Sequence, residues 1–143
     1  MPRIKIVLPN KFIFRTEIQI RITDINYGGH LGNDSLLSII HEARVRFLQY
    51  LGYSESNVEG NGIIMIDAGV QYKSEGFYGD ELLIEIAVND FTEIGCDFVY
   101  RLTNKNSKKE IAVAKTGIVF FNYEKRKTAP VPPEFKKKIE ELS

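Results

Sequence analysis

The chain has 143 residues, 43% of them hydrophobic and 27% charged, which is the balance of an ordinary folded protein. Nineteen basic residues match nineteen acidic ones, and this zero net charge argues against a mainly electrostatic partner such as nucleic acid or an anionic membrane. One cysteine, Cys96, excludes an internal disulfide, and with two histidines it is too few for a zinc site closed by Cys and His ligands. We therefore expect one domain over residues 1–143, without a metal, and a cytoplasmic location, because no signal peptide or membrane span is recognisable.

The first predicted elements are a strand and a long helix. Alternating isoleucines predict a strand within residues 11–23, and a polar, glycine-containing loop follows over residues 24–32. An apolar stripe that begins at Leu36 and continues to Leu51 then predicts a largely buried helix. The residues expected at its two ends are Asn33, Asp34 or Ser35 as the cap and Gly52 as the stop.

The remainder of the chain is predicted to be mostly strand. β-Branched or alternating apolar residues favour strands, a polar stretch at residues 104–108 favours a hairpin loop, and a short helix is expected at residues 134–142. One buried helix beside a five-stranded, mostly antiparallel sheet is an α+β layout. The four predicted strands cover residues 63–73, 82–88, 96–102 and 111–121.

Two motifs resemble those of a known family, the hotdog-fold acyl-CoA thioesterases of the 4-hydroxybenzoyl-CoA thioesterase and YbgC type. Residues 24–33 are similar to the family pattern Asp-x-Asp-x-x-Gly-His-Val-Asn-Asn, and residues 42–44 are the Glu-Ala-Arg that follows it on a helix. Residues 72–80 resemble the pattern Tyr-x-x-Pro-x-x-x-Gly-Asp, with Glu75 at the place of the proline. The resemblance implies a sheet wrapped around one long central helix, and a homodimer or dimer of dimers with acyl-CoA sites beside the helix N-terminus.

The resemblance implies a thioesterase whose usual acid is missing. The family's catalytic carboxylate corresponds to Asn26, and an amide cannot act as a base or a carboxylate nucleophile. An amide can still donate a hydrogen bond to an oxyanion or orient a water molecule. We therefore expect hydrolysis of an acyl-CoA or acyl-carrier thioester, with coenzyme A as part of the substrate and no other cofactor.

The base must then come from another residue. Asp67 lies in an apolar run, where burial would raise its pKa toward that of a base, although a capping or backbone-bonded role is the alternative. His30 matches the family's histidine and is a candidate base or donor, or else fixes the loop through a hydrogen bond. Asp24 matches the first aspartate of the motif, and we expect it mainly to organise the turn.

The other predicted site residues would bind the substrate. Backbone N–H groups at Gly28, Gly29 and Asn33 are candidates for an oxyanion site, although the glycines are also explained by a tight turn. Tyr27 and Phe77 are candidates for contact with the acyl group, although core packing or a dimer contact explains them equally well. Lys73 and Lys115 are candidates for the CoA phosphates, although a solvated lysine is the usual alternative.

Two other functions fit the same residues. One is a hotdog protein that binds acyl thioesters without turning them over, which the missing aspartate favours. The other is a 3-hydroxyacyl-thioester dehydratase, in which His30 and Asp67 would share the acid and base roles. A hydration assay on a crotonyl thioester separates the second function from hydrolysis.

Overall fold

A computed structural model describes residues 3–143, and in it one long helix lies across one face of an antiparallel sheet. We call the sheet face toward this helix the inner face and the opposite face the outer face. The strands are β1 (Phe14–Gln19), β2 (Gly62–Tyr72), β3 (Glu81–Asn89), β4 (Gly95–Asn104), β5 (Glu110–Asn122) and β6 (Lys127–Ala129). The helices are α1 (Asn33–Tyr50) and α2 (Pro133–Leu142), with a short 3-10 turn at Ile22–Asp24.

The sheet has the strand order β1-β3-β4-β5-β2, and β6 pairs with the end of β5. Every pairing is antiparallel, and β1 and β2 form its two edges. Alternation along β5 directs Ala112, Ala114 and Phe120 into the core, where they meet the buried stripe of α1. The predicted α+β architecture, with a sheet around one central helix, is confirmed.

Several boundaries differ from those predicted. β1 is shorter than expected because the chain leaves the sheet and forms the 3-10 turn. β6 is a sixth strand, which the sequence did not predict and which lies in a basic stretch. Gly32, not Asn33, Asp34 or Ser35, is the cap of α1, so no side chain caps the first turn. The stop at Gly52 is confirmed by its positive φ of 89°, a conformation that favours glycine.

A bulge in β2 changes which side chains reach the outer face. Ile63 and Met65 pair with β5 residues of the inner face, but the register shifts between Met65 and Asp67. The extra residue, Ile66, places Asp67 opposite Gly117, which belongs to the outer-face set of β5. Asp67 therefore points away from α1, whereas simple alternation would have given it the same face as Met65.

The C-terminal helix closes one end of the core. α2 begins at Pro133, a favoured first helical residue, and buries Phe135 and Ile139. Phe135 packs against Phe120 with ring centroids 5.3 Å apart. Across residues 3–143, neither helix combines the length and the apolar composition that crossing a membrane requires.

Candidate functional site

A cavity of about 280 Å³ lies at the start of α1 and has mostly apolar walls. Four segments form it: the loop that leads into α1, the first turns of α1, the end of β2 with the residues after it, and the beginning of β5. We call it the α1 cavity. Its lining residues are His30, Leu31, Asn33, Leu36, Tyr72, Lys73, Ser74, Glu75, Gly76 and Ile111.

The Asn26 side chain organises the loop that enters this cavity. Its Oδ1 accepts hydrogen bonds from the backbone N–H of Gly28 at 2.9 Å and of His30 at 3.4 Å. The backbone N–H of Asn26 donates to the carbonyl oxygen of His30, and Gly29 donates to that of Asn26. With Oδ1 occupied, the amide nitrogen of Asn26 is the group left to donate to a ligand.

These hydrogen bonds correct the predicted oxyanion donors. The N–H groups of Gly28 and Gly29 already donate within the loop, so they are not available to a substrate oxygen. Gly29 has a φ of 85°, and the turn itself explains why glycine stands there. The expectation that the two glycines supply the oxyanion site is therefore wrong for the conformation of this loop.

The first turn of α1 offers other donors. Within residues 3–143, the backbone N–H groups of Asn33, Asp34 and Ser35 have no hydrogen-bond acceptor, because Gly32 has no side chain to cap them. Of the three residues, Asn33 lines the α1 cavity. A helix start with unused N–H groups and a positive dipole end favours a developing negative charge, so Asn33 remains an oxyanion candidate on geometry.

His30 and Lys73 also line the α1 cavity. The His30 imidazole has no hydrogen-bond partner among the described residues, so the ring does not fix the loop; its backbone does. Lys73 follows β2 and is exposed at the cavity, where a cation could meet an anionic part of the substrate.

Three other predicted residues lie outside the α1 cavity. Asp24 is buried, and its carboxylate accepts hydrogen bonds from the backbone and guanidinium of Arg21, so it organises the turn as expected. Tyr27 is fully exposed and forms no wall of this cavity. Phe77 lines a neighbouring cavity of about 420 Å³, which shares Ser74, Glu75 and Ile111 with the α1 cavity.

Asp67 is not the buried acid that the sequence predicted. Its side chain is 57% exposed on the outer face, and its Oδ1 accepts hydrogen bonds from Lys115 Nζ at 2.7 Å and from the N–H of Gly117 at 3.0 Å. The hydrogen bond from Lys115 lowers the pKa of Asp67, whereas burial was expected to raise it. Tyr72, which lines the α1 cavity together with His30, lies five residues after Asp67 along β2, a distance of roughly 16 Å by strand geometry. Within one chain, Asp67 is therefore not brought to His30.

Lys115 belongs to the same outer-face cluster, which we define as Asp67, Lys115 and Asp97. Its Nζ lies 2.7 Å from Asp67 and 3.6 Å from Asp97. Burial raises the pKa of Asp97, although Lys115 acts in the opposite direction. Two carboxylates already compensate the ammonium of Lys115, and its place on the outer face separates it from the α1 cavity. The structure thus gives no support to Lys115 as a ligand of CoA phosphates bound at that cavity.

Two polar features were not among the predicted site residues. Glu75, which replaces the family's proline, lines the α1 cavity. Arg44, the last residue of the Glu-Ala-Arg motif, is buried and binds Glu55 at 2.8 Å and the hydroxyl of Tyr100 at 3.3 Å. Burial alone would raise the pKa of Glu55, but hydrogen bonds from Arg44 and His41 outweigh it and lower that pKa.

The donors that could hold a metal ion are dispersed. In the described part of the chain, no three side chains of His, Cys, Asp or Glu are grouped as metal ligands. Cys96 packs in the core, and burial raises the pKa of its thiol to about 12. At neutral pH this thiol is protonated and unsuited to act as a nucleophile.

Comparison with known proteins assigns the family. A model of the thioesterase-like superfamily matches residues 20–139, which include both motifs and every residue of the α1 cavity. The chain belongs to this superfamily. Membership confirms the predicted resemblance and supports thioester hydrolysis as the reaction class.

Individual relatives agree with this assignment. A candidate esterase of Aquifex aeolicus (strain VF5) is 26% identical over 125 residues, which cover 86% of this chain and 93% of the relative. The crystal structure of Slr0204, a 1,4-dihydroxy-2-naphthoyl-CoA thioesterase from Synechocystis, superposes with a TM-score of 0.82 at 23% identity, covering 90% of this chain and 96% of that one. The Staphylococcus aureus protein SAV2348, solved in complex with CoA, gives a TM-score of 0.81 at 15% identity, with coverages of 96% and 87%. These two superpositions confirm the predicted hotdog fold.

Proposed function

We propose that the protein hydrolyses an acyl-CoA thioester to the free acid and the CoA thiol at the α1 cavity. One observation carries the proposal: a largely apolar cavity is lined by Asn33, a residue of the α1 first turn whose backbone N–H is unused. Apolar walls suit an acyl group, and unused N–H groups suit the oxyanion that forms when the thioester carbonyl is attacked. Membership of the thioesterase-like superfamily supports this reaction.

The residues divide between stabilising charge and positioning the substrate. The N–H of Asn33 and the free amide nitrogen of Asn26 would donate to the oxyanion. His30 would donate a hydrogen bond to the substrate from the cavity wall, and Lys73 would meet the anionic CoA portion. No part of this scheme uses the outer-face cluster.

The proposed mechanism does not need a carboxylate at residue 26. The family resemblance places the usual acid at residue 26, and the amide there instead accepts two loop N–H groups. An aspartate could accept the same two hydrogen bonds but would lack the N–H donor that the amide offers to an oxyanion. The amide therefore suits a site in which residue 26 stabilises charge and another residue activates water.

A homodimer is the assembly that fits the sheet. β2 is an edge strand, and its edge away from β5 has no partner strand in the described residues. Its residues Met65 and Ile66 are 48% and 62% exposed. Exposed apolar residues on an unpaired edge favour pairing with a second copy. Light scattering coupled to gel filtration should give the mass of a dimer, or of a dimer of dimers, and a monomer would contradict this part of the proposal.

Thiol release tests the reaction directly. Purified protein is mixed with aliphatic and aromatic acyl-CoA thioesters, and free thiol is followed with a chromogenic thiol reagent. Catalysed release from at least one thioester is the expected result. The aromatic substrates are included because Slr0204 acts on an aromatic acyl-CoA.

The same samples distinguish the two alternatives. Binding of acyl-CoA in calorimetry with no release of thiol would favour a non-catalytic binder. Hydration of a crotonyl thioester with no release of thiol would favour a dehydratase. Within one chain, Asp67 and His30 line different cavities, so a dehydratase that pairs them would need the Asp67 of a second copy.

A further inference from the structure

The α1 cavity contains one carboxylate among its lining residues, and it belongs to Glu75. The same wall includes His30 and Asn33, which the proposed function places beside the thioester carbonyl. Glu75 is exposed, and the structure gives its carboxylate no ion-pair partner within residues 3–143. An unpaired acid in a cavity that lacks the family's usual aspartate is a candidate base.

Hydrogen bonds on both sides of Glu75 fix its backbone. The Ser74 hydroxyl donates to the carbonyl oxygen of Glu110 at 2.7 Å, and the N–H groups of Lys73 and Ser74 both donate to that of Ile111. On the other side, the N–H of Leu31 donates to the carbonyl oxygen of Gly76 at 2.7 Å. This last bond joins the segment that carries Glu75 to the loop that carries His30, so the two residues keep a defined relation.

The other acids near the site either have partners or are not among the residues that line the α1 cavity. The carboxylate of Asp24 is buried against Arg21, and Asp67 is bound by Lys115 on the outer face. Asp80 accepts the backbone N–H of Phe77 at 3.0 Å and lines the neighbouring cavity rather than the α1 cavity. Glu75 is the acid that combines an unpaired carboxylate with a place in the cavity wall.

We propose that Glu75 is the general base of the thioesterase, an inference that rests on the proposed function. The Glu75 carboxylate takes one proton from a water molecule while the water oxygen bonds to the thioester carbon, and the carbonyl electron pair moves to the oxygen held by the Asn33 N–H. When this oxyanion collapses, the C–S bond breaks and its electron pair leaves with sulfur, which takes the proton from Glu75. The products are the free acid and the CoA thiol, and Glu75 is again a carboxylate.

The decisive variant is Glu75→Gln, because the amide keeps the size of the side chain but cannot accept the proton. The expected result is a fall in kcat of about 10²- to 10⁴-fold, with the Kd for the acyl-CoA changed by less than about threefold. Glu81→Gln is the matched control, because Glu81 is exposed and lines neither of the two cavities. Circular dichroism melting curves of both variants establish that they fold.

A second variant separates a chemical role from a structural one. Glu75→Ala leaves space for a small carboxylate, so added formate should restore part of the lost kcat in this variant and none in Glu75→Gln. Rescue by formate is a signature that loss of packing would not produce.

Three results would overturn the inference. Glu75→Gln with kcat within about threefold of an active wild type would remove Glu75 from the chemistry. Loss of activity in His30→Gln beside an active Glu75→Gln would assign the base to His30 instead. Wild-type protein that binds acyl-CoA without releasing thiol would overturn the proposed function, and the role of Glu75 with it.

Discussion

The α1 cavity and the outer-face cluster both contain polar groups, yet they differ in how these groups are used. In the outer-face cluster the charges satisfy one another: Lys115 binds Asp67 and Asp97, and Asp67 also accepts the N–H of Gly117. At the α1 cavity the N–H of Asn33 and the carboxylate of Glu75 have no partner within residues 3–143. From this comparison we expect that unused donors and acceptors beside apolar walls indicate a site better than a charge in an apolar sequence does.

After Glu75→Gln, the largest expected effect comes from removing one unused donor. Asn33→Pro deletes the N–H at the first helical residue, a position where proline is favoured, and Gly32 before it has the extended φ and ψ of −79° and 156° that proline requires. We expect kcat for thiol release to fall about 10²- to 10³-fold, as for loss of an oxyanion donor. Steady-state kinetics measure this change.

The control for this variant is Asn33→Ala, which removes the side chain but keeps the N–H. It should stay within about fivefold of wild type in kcat. Equal losses in the two variants would show that the Asn33 side chain matters and its N–H does not. Full activity in a folded Asn33→Pro protein would remove this N–H from the oxyanion site.

The ion pair of Arg44 and Glu55 extends the comparison. Its charges satisfy one another, like those of the outer-face cluster, but it lies against the core. Glu55→Gln removes the charge that compensates the buried Arg44 guanidinium, whose side chain is 5% exposed. We expect the free energy of unfolding at pH 7 to fall by about 2 kcal/mol, since Glu55 itself is partly exposed. Urea unfolding measures the loss, and kcat should change by less than about twofold.

The same pair makes stability depend on pH. The pKa of Glu55 is lowered in the folded protein, so its contribution is present above the unfolded carboxyl pKa of about 4.3 and is lost as the pH falls through the folded value. The difference in unfolding free energy between wild type and Glu55→Gln should therefore shrink on acidification below about pH 4. A difference that stays constant between pH 7 and pH 3 would contradict the pairing.

A smaller effect is expected at the centre of the outer-face cluster. Lys115→Met leaves Asp67 and Asp97 on one face without their shared cation, and their mutual repulsion should reduce the free energy of unfolding by about 1 kcal/mol. Thermal unfolding at low and high salt checks this, because salt should diminish the loss. A fall in kcat of more than about tenfold would place the cluster in the catalytic site after all.

The smallest effect is expected for Asp67→Asn. The amide oxygen can still accept the N–H of Gly117, and the lost ion pair with Lys115 is exposed, so the unfolding free energy should change by less than about 0.5 kcal/mol. The kcat should stay within about twofold of wild type. A collapse of activity in a folded Asp67→Asn protein would restore the acid to the mechanism.

The elements of the fold could be predicted because their signals are local. Periodic apolar residues predicted β2 at residues 63–73 within one residue at each end, and the terminal helix within one residue at its start. The sixth strand was missed because β6 has three residues, too few for a period to show. The family motif around Asn26 and His30 also marked the loop that enters the α1 cavity.

The polar contacts were harder to predict, because they depend on one-residue details of the backbone. The bulge at Ile66 reverses the face of Asp67, and nothing in the apolar run from Ile63 to Val70 announces an extra residue. The Gly28 N–H donates to the side chain of Asn26 and the Gly29 N–H to its backbone carbonyl oxygen, so the use of both depends on the conformation of this loop. Glu75 reaches the cavity through its place after β2, a relation that only the tertiary structure contains.

The measurement that tests the location of the site most directly is an amide NMR titration. The ligand is an acyl-CoA ketone in which a methylene group separates the carbonyl from sulfur, so that hydrolysis cannot occur. We predict the largest shifts at the N–H of Asn33 and its neighbours in the first turn of α1, with smaller shifts near Glu75. Saturable shifts concentrated at Asp67, Lys115 and Asp97, with the α1 first turn unchanged, would contradict a thioester site at the start of α1.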